Sequence, residues 1–274
     1  MKRAFVDLTR EELANNPSSN LFLGDIGAGG FVDANEQLVD RVHNVGIAEQ
    51  SMIGFAAGLS LVTPTGNTIV HTIAPFLVER AFEQIKLCCG YNGAKLILVS
   101  ANGPYDYGKL GPTHHCAADV NVLSTIPNLE IRLPSTKQDF EEIYREALAS
   151  DKSTYIRVTS RGAKLDVEPT PIGEYKKVRL PSSAVTTTTA IVCTGESLAY
   201  VLKNLKTSAT VYWSSNPRAP LPEEVERHSR IVVIEPYMLP LIKAPDRAER
   251  RHFKVEHKKI IQTDMGWEDF EDPS

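Results

Sequence analysis

The chain has 274 residues, 42% of them hydrophobic and 23% charged, with 30 basic against 34 acidic side chains and a formal net charge of −4. That length suits one large or two ordinary domains, and two are expected. The charge balance excludes any general attraction to nucleic acid or anionic lipid, and no segment reaches the roughly 18 apolar residues of a membrane span.

The N-terminal MKRAFVDLTREELANN has no apolar run of signal-peptide length, so a cytoplasmic protein is expected. From Asn20 onward, NLFLGD, NTIVHTI, AKLILVS, LEIRL and TYIRVTS read as strands, near-continuous in their apolar character as strands covered on both faces should be. Between them GIAEQSMIGFAAGLSL, PFLVERAFEQIKLCCG and STKQDFEEIYREALAS read as helices. Pro75 suits a helical first turn, and either Ser135 or Thr136 suits the cap of the third helix. Arg161 to Ala184 holds three prolines and no period, and reads as a linker. After it TTTTAIVC, ATVYW and RIVVIE are strands again, separated by ESLAYVLKNLK and PLPEEVERHS. The expected fold is therefore α/β, with two doubly wound parallel-sheet domains at 1–162 and 185–274 joined by a linker at 163–184. In the last forty residues a basic stretch precedes the acidic WEDFED, which reads as a solvated or subunit-facing surface.

The chemistry-bearing residues fall in the first unit. GDIGAGGF follows a strand but spells neither G-x-G-x-x-G nor a P-loop, and reads as a flexible turn. Its Asp25 still lies at the carboxyl end of a strand, where α/β proteins collect ligand groups. Glu49 is one carboxylate among the small residues of GIAEQSMIGFAAGLSL; it is either a first-turn acid favoured by the helix dipole or a poorly solvated group with a partner. Gly54 and Gly58 each cost about 1 kcal/mol of helix propensity, which implies close packing, either within the chain or against another subunit. Phe76 suits core filling on an amphipathic helix, and Arg80 a surface ion pair. GPTHHC places His114 and His115 in a loop after a strand; successive residues rarely point at one ion, so no metal site is expected there. Cys88, Cys89, Cys116 and Cys193 include no C-x-x-C pair and are expected to be reduced.

RVHNVGIAEQSMIGFAAGLSL, then TIAPFLVERAFEQIK, then GKLGPTHH resemble, in order, the pyrimidine-binding domain of transketolase-like, thiamine-diphosphate-dependent enzymes. The resemblance is nearest to 1-deoxyxylulose-5-phosphate synthase and to the C-terminal subunits of split transketolases, and it runs from about Asn20 to Gly162. It implies that Glu49 hydrogen-bonds the cofactor's aminopyrimidine and promotes the imino tautomer that activates the thiazolium carbon. It also implies that Phe76 stacks on that ring, with Ile73 beside it, that Arg80 matches an arginine of the synthases, and that His114 meets substrate. His115, and Asn102 where transketolases have a sugar-phosphate histidine, stand with it in the substrate region. Arg161 matches an arginine that holds a substrate's anionic group.

Asn102, and Leu110 in place of an aspartate, put the usual ketose phosphate donor in question. The family holds the diphosphate through a divalent metal on G-D-G followed by N-N. Here Gly24-Asp25-Ile26 begins that motif, but the sole Asn-Asn pair, Asn15-Asn16, lies upstream. The resemblance thus implies half an active site: a pyrimidine-binding subunit with a companion carrying the diphosphate and Mg²⁺ site, assembled as a heterotetramer. The reaction implied is transfer or condensation of a two-carbon ketol or acyl unit on an anionic small molecule. The alternatives are the β-type subunit of a 2-oxo acid dehydrogenase and a non-catalytic scaffold subunit.

Overall fold

The apolar runs of the first half pair edge to edge because each has side chains to bury on both faces. The computed structural model describes residues 1–35, 37–159, 174–178, 188–204 and 209–236 in full, and 254–263 and 266–269 as backbone strands. Strands β1 (Asn20–Leu23), β2 (Val42–Asn44), β3 (Thr68–Ile73), β4 (Ile97–Ala101), β5 (Leu129–Arg132) and β6 (Ser153–Val158) form a parallel sheet in the order β2-β1-β3-β4-β6-β5.

Alternation along the strands feeds two cores. Leu21, Leu23, Ile69, Ile97, Val99 and Ile156 meet helices α1 (Lys2–Asn15) and α6 (Lys137–Ala149) on one face. Phe22, Val70, Leu98 and Tyr155 meet α2 (Glu49–Val62), α3 (Ala74–Val78), α4 (Phe82–Ile85) and α5 (Asp119–Leu123) on the other. Met52 and Ile53 on α2 are wholly buried, each worth about 1.5–3 kcal/mol of apolar transfer. Thr136, not Ser135, caps α6: its Oγ1 accepts from the Asp139 amide at 3.0 Å.

The second sheet runs β12-β11-β10-β8-β9-β7. Its middle strands β8 (Thr189–Thr194), β9 (Thr210–Ser214), β10 (Arg230–Glu235) and β11 (Lys254–Thr263) are parallel, and β7 (Lys176–Val178) and β12 (Gly266–Asp269) run antiparallel at its edges. Helix α7 (Ser197–Asn204) covers one face, and PLPEEVERHS forms a 3₁₀ turn at Glu223–Arg227. Arg157 on β6 and Glu196 before α7 join the two sheets through a buried ion pair. Gly195 sits close by at φ +54°, where a Cβ would meet that of Leu133 at 2.8 Å.

Several elements differ from expectation. Helix α1 and strand β2 form where no element is expected. Helix α1 is fixed by the Thr9–Tyr144 hydroxyl hydrogen bond (2.7 Å) and the edge of Phe5 on Tyr144. The stretch expected as one helix over PFLVERAFEQIKLCCG breaks after Val78 and ends in a π-helical turn at Lys86–Tyr91. Pro75 does occupy the first turn of α3, and its carbonyl accepts from both Glu79 and Arg80, which loosens the helix there. Strand β7 falls inside the stretch expected as a linker. Close packing of Gly54 and Gly58 within the chain is overturned: a Cβ at either would meet nothing within 4 Å, because α2 turns that face to solvent. No helix among the described residues is long and apolar enough to cross a membrane.

Candidate active site

Parallel strands deliver their carboxyl ends to one rim of the sheet, and α2 and α3 start from that rim. Glu49 opens α2 and turns inward, only 1% exposed. Its Oε2 accepts from Arg80 Nη1 at 2.7 Å, while Oε1 is buried with no hydrogen-bond partner. Gly24, just after β1, lets Thr72 approach, since a Cβ there would lie 2.8 Å from Thr72 Oγ1, while it would make only ordinary contact, 3.6 Å, with Glu49 Cγ. A buried acceptor left unpaired costs about 1–3 kcal/mol. Both readings of Glu49 hold: it stands in the first turn of α2 and is a poorly solvated carboxylate with a partner.

Arg80, half-exposed, also lies over the Phe76 ring at 4.2 Å, a cation–π contact. The edge of Phe76 meets His114, with ring centroids 5.3 Å apart. His114 Nδ1 bonds the Thr113 hydroxyl at 2.9 Å, and Tyr107 borders the ring on another side. Glu49, Arg80, Phe76 and His114 thus form one continuous group drawn from α2, α3, the turn after α3 and a loop. Glu79, just after α3, and the Cys116 thiol of that loop lie near enough to act on each other electrostatically. Burial, chiefly, raises the pKa of both.

The remaining candidates surround this group. Ile73 ends β3, buried immediately before α3. Asp25 and Asn102 close β1 and β4 in the left-handed region, at φ 65° and 71°; such backbone is uncommon outside glycine and concentrates at functional sites. Asp25 is exposed and exchanges hydrogen bonds with the Asn44 side chain, at 3.1 and 3.3 Å. Asn102 is buried and keeps Oδ1 unpartnered. His115 packs edge-on to Tyr105 with Nε2 buried and unpartnered. Arg161 lies outside the described residues. The four cysteines are free. Among the described residues no three His, Cys, Asp or Glu side chains come close enough to hold a metal ion.

Sequence reading missed the buried anchor behind the loop. Arg157 donates from Nη1 to both oxygens of Asp119 (2.9 Å each) and from Nη2 to both oxygens of Glu196 (2.7 and 2.8 Å). Asp119 also accepts from the Tyr155 hydroxyl at 2.7 Å. The available signal was an arginine in the middle of TYIRVTS, a strand otherwise suited to burial on both faces.

Chemically, the group offers a fixed carboxylate with one free oxygen, an aromatic wall and an imidazole held through one nitrogen. That free oxygen is an acceptor for an N–H donor brought by a ligand.

Known proteins are similar to this chain. A protein of unassigned activity from the fasciation locus of Rhodococcoides fascians is 35% identical over 161 residues, covering 59% of this chain and 51% of that protein. One of the subunits of the apulose-4-phosphate transketolase of Actinobacillus succinogenes is 38% identical over 128 residues, 46% of this chain and 40% of that one. The chain thus spans about half or less of the length of these relatives. A solved split-gene transketolase, an inactive β4 tetramer, shares the fold with a TM-score of 0.69 at 20% identity, over 96% of this chain and 88% of its own. Residues 1–163, which carry the whole Glu49 to His114 group, match the family described as transketolase, pyrimidine binding domain, and the chain belongs to that family.

Proposed function

We propose that the chain is the pyrimidine-binding subunit of a split transketolase-like transferase that uses thiamine diphosphate and works with a companion subunit. The observation that carries this reading is Glu49 Oε1, a buried acceptor left open beside Gly24 while Arg80 holds the other oxygen. The residues fit the aminopyrimidine: Glu49 would accept from its ring nitrogen, Ile73 and Phe76 would wall the ring, and Asp25 and Arg80 would border it. Bound there, the coenzyme supplies the carbanion chemistry for a two-carbon ketol or acyl unit. His114, with Nδ1 held by Thr113, presents Nε2 toward substrate, with Asn102 and His115 lining the same loop and Arg161 assigned to an anionic group.

The companion subunit would hold the diphosphate and Mg²⁺. Support for such a partner comes from α2, whose outer face exposes Phe55 (63%), Leu61 and Val62 (74%) around the open Gly54 and Gly58, with Ile47 (73%) just before it. A contiguous apolar face of this kind marks an association surface. The reading keeps the division into 1–162, 163–184 and 185–274, a heterotetrameric assembly and a cytoplasmic location.

The test is thiamine diphosphate binding, by calorimetry, to the chain with and without its companion, using wild type and Glu49→Gln. We expect tight binding only in the assembled pair. Glu49→Gln should lose at least about 100-fold in turnover, the low end of a positioned proton-transfer group, with circular dichroism unchanged. Normal turnover of Glu49→Gln would overturn the reading. A companion that adds nothing to coenzyme affinity would favour a scaffold, and decarboxylation of 2-oxo acids would favour the dehydrogenase alternative.

A further inference from the structure

A second polar cleft, of about 260 Å³, opens on the far side of the first sheet. It is lined by Asn128, Glu130, Arg132 and Lys152 from the first unit and by Asn216 and Arg218 from the second. Strand β5 is the outer strand of its sheet, and Asn128 and Lys152 stand before the amino ends of β5 and β6. The lining runs from Asn128 before β5 to Arg132 at its carboxyl end, so the cleft follows the outer edge of that strand, across the sheet from β1 and β2.

Its charge is unbalanced. Among the described residues Glu130 is the single lining carboxylate, and it already pairs with both Arg132 (2.9 Å) and Lys152 (3.2 Å). Among the described residues Arg218 has no carboxylate partner. Its three donors reach only neutral acceptors at long range: Ser124 Oγ at 3.3 Å and the Leu129 and Leu123 carbonyls at 3.3 and 3.4 Å. Burial and the neighbouring Arg132 guanidinium both lower the pKa of Arg218, as expected where like charges are held together without a counter-ion. Two guanidiniums and an ammonium face one carboxylate in the lining, Glu146 acts on Arg132 from outside it, and Arg218 keeps its charge without a carboxylate partner among the described residues. Forked guanidinium donors match the oxygens of phosphate. The volume lies below the roughly 300–1,000 Å³ of pockets for drug-sized ligands, which suits a small ion and not a nucleotide.

We propose that this interdomain cleft is a binding site for a small phosphate-bearing anion, held by Arg218, Arg132 and Lys152. Such an anion would bridge β5 to the Asn216–Arg218 loop and so couple the two units. The proposal does not depend on the coenzyme reading.

The test titrates the full chain with inorganic phosphate and with glycerol 3-phosphate by calorimetry at constant ionic strength set with chloride. We expect saturable binding at millimolar concentration or below, and a loss of about tenfold in Lys152→Gln and in Arg218→Gln, each removing a charge-assisted contact. Lys152 is exposed, so its variant does not threaten the fold. Glu130→Gln should tighten binding by removing the competing carboxylate, and Glu49→Gln should leave it unchanged. Tighter binding of the ester would identify an organic phosphate, and equal binding the free ion. No saturable binding below about 20 mM, full affinity in both cation variants, or loss of binding in Glu49→Gln would overturn the proposal.

Discussion

Replacing Arg157 by methionine keeps most of the side chain's apolar stem and deletes only the guanidinium. Arg157, Asp119 and Glu196 are each no more than 2% exposed, so the deletion strands two carboxylates out of reach of water. Breaking a buried pair by removing one partner costs about 3–5 kcal/mol. The two pairs share one cation, so their losses do not add. Asp119 keeps hydrogen bonds from the Tyr155 hydroxyl and the Val120 amide, both at 2.7 Å, and most of the deficit therefore falls on Glu196. At about 2–4 °C per kcal/mol for a chain of this size, Tm should drop by roughly 6–20 °C. With total stabilities of about 5–15 kcal/mol, a folded protein remains to be measured.

The sign of the pH dependence follows from Glu196. Burial raises its pKa above the ordinary carboxylate value, and Arg157 and its hydrogen bonds pull it back down. A group with a raised folded-state pKa binds its proton more tightly folded than unfolded, so its ionisation costs stability as pH rises through that range. Without Arg157 the pKa climbs further, and the variant's deficit should be smallest near pH 4 and largest at pH 8. The assay is thermal and urea unfolding at both pH values, with Arg157→Met/Glu196→Gln as a partial rescue. A Tm loss under about 2 °C at pH 8, or a deficit that does not shrink on acidification, would refute the reasoning.

Two further predictions concern the helices. Burial pushes the Asp139 carboxyl up to about 7, against the opposing hydrogen bond from the Ser135 amide. Its contribution to stability is therefore fully present below about pH 4 and lost as pH rises through 7, at up to about 1.4 kcal/mol per pH unit; Asp139→Asn should flatten that slope in urea unfolding between pH 4 and 8. Gly54→Ala should raise the stability of the isolated chain by roughly 0.5–1 kcal/mol, since the new methyl meets nothing. The same variant should weaken association with the proposed companion in analytical ultracentrifugation, and a lower Tm would show that the position is packed after all.

What was legible in the sequence is what periodicity and composition encode locally. The strands of the first sheet other than β2 are largely apolar, and the GIAEQSMIGFAAGLSL helix begins where its carboxylate stands. Strand β2 escaped because VHN is three residues long and half polar; only its pairing with β1 makes it a strand. Helix α1 escaped because KRAFVDLTREELAN is mostly polar, and its apolar positions matter only once α6 lies against them. The long helix broke where Pro75 draws two amides onto one carbonyl, a detail no periodicity records. Of the candidate site, Glu49 and His114 were named from motifs, but the role of Arg80 was not. Its guanidinium serves two neighbours at once, the carboxylate and the Phe76 ring, and that sharing exists only after α2 and α3 have packed.

Two features of the lone chain cost it stability in the same neighbourhood. The inward side of α2 buries an acceptor with no donor, and its outward side leaves Phe55, Leu61 and Val62 in water. Either alone would be tolerable in a protein of ordinary stability. An unpaired buried acceptor costs about 1–3 kcal/mol, and each large exposed apolar side chain forgoes about 1.5–3 kcal/mol of transfer. Both lie on one helix, so a single event that covers the outer face and delivers an N–H to the inner oxygen would relieve both. Coenzyme affinity and subunit affinity should then rise together, each ligand tightening the other by the same factor. A chain whose helix was merely a packed core element would show neither the open oxygen nor the coupling.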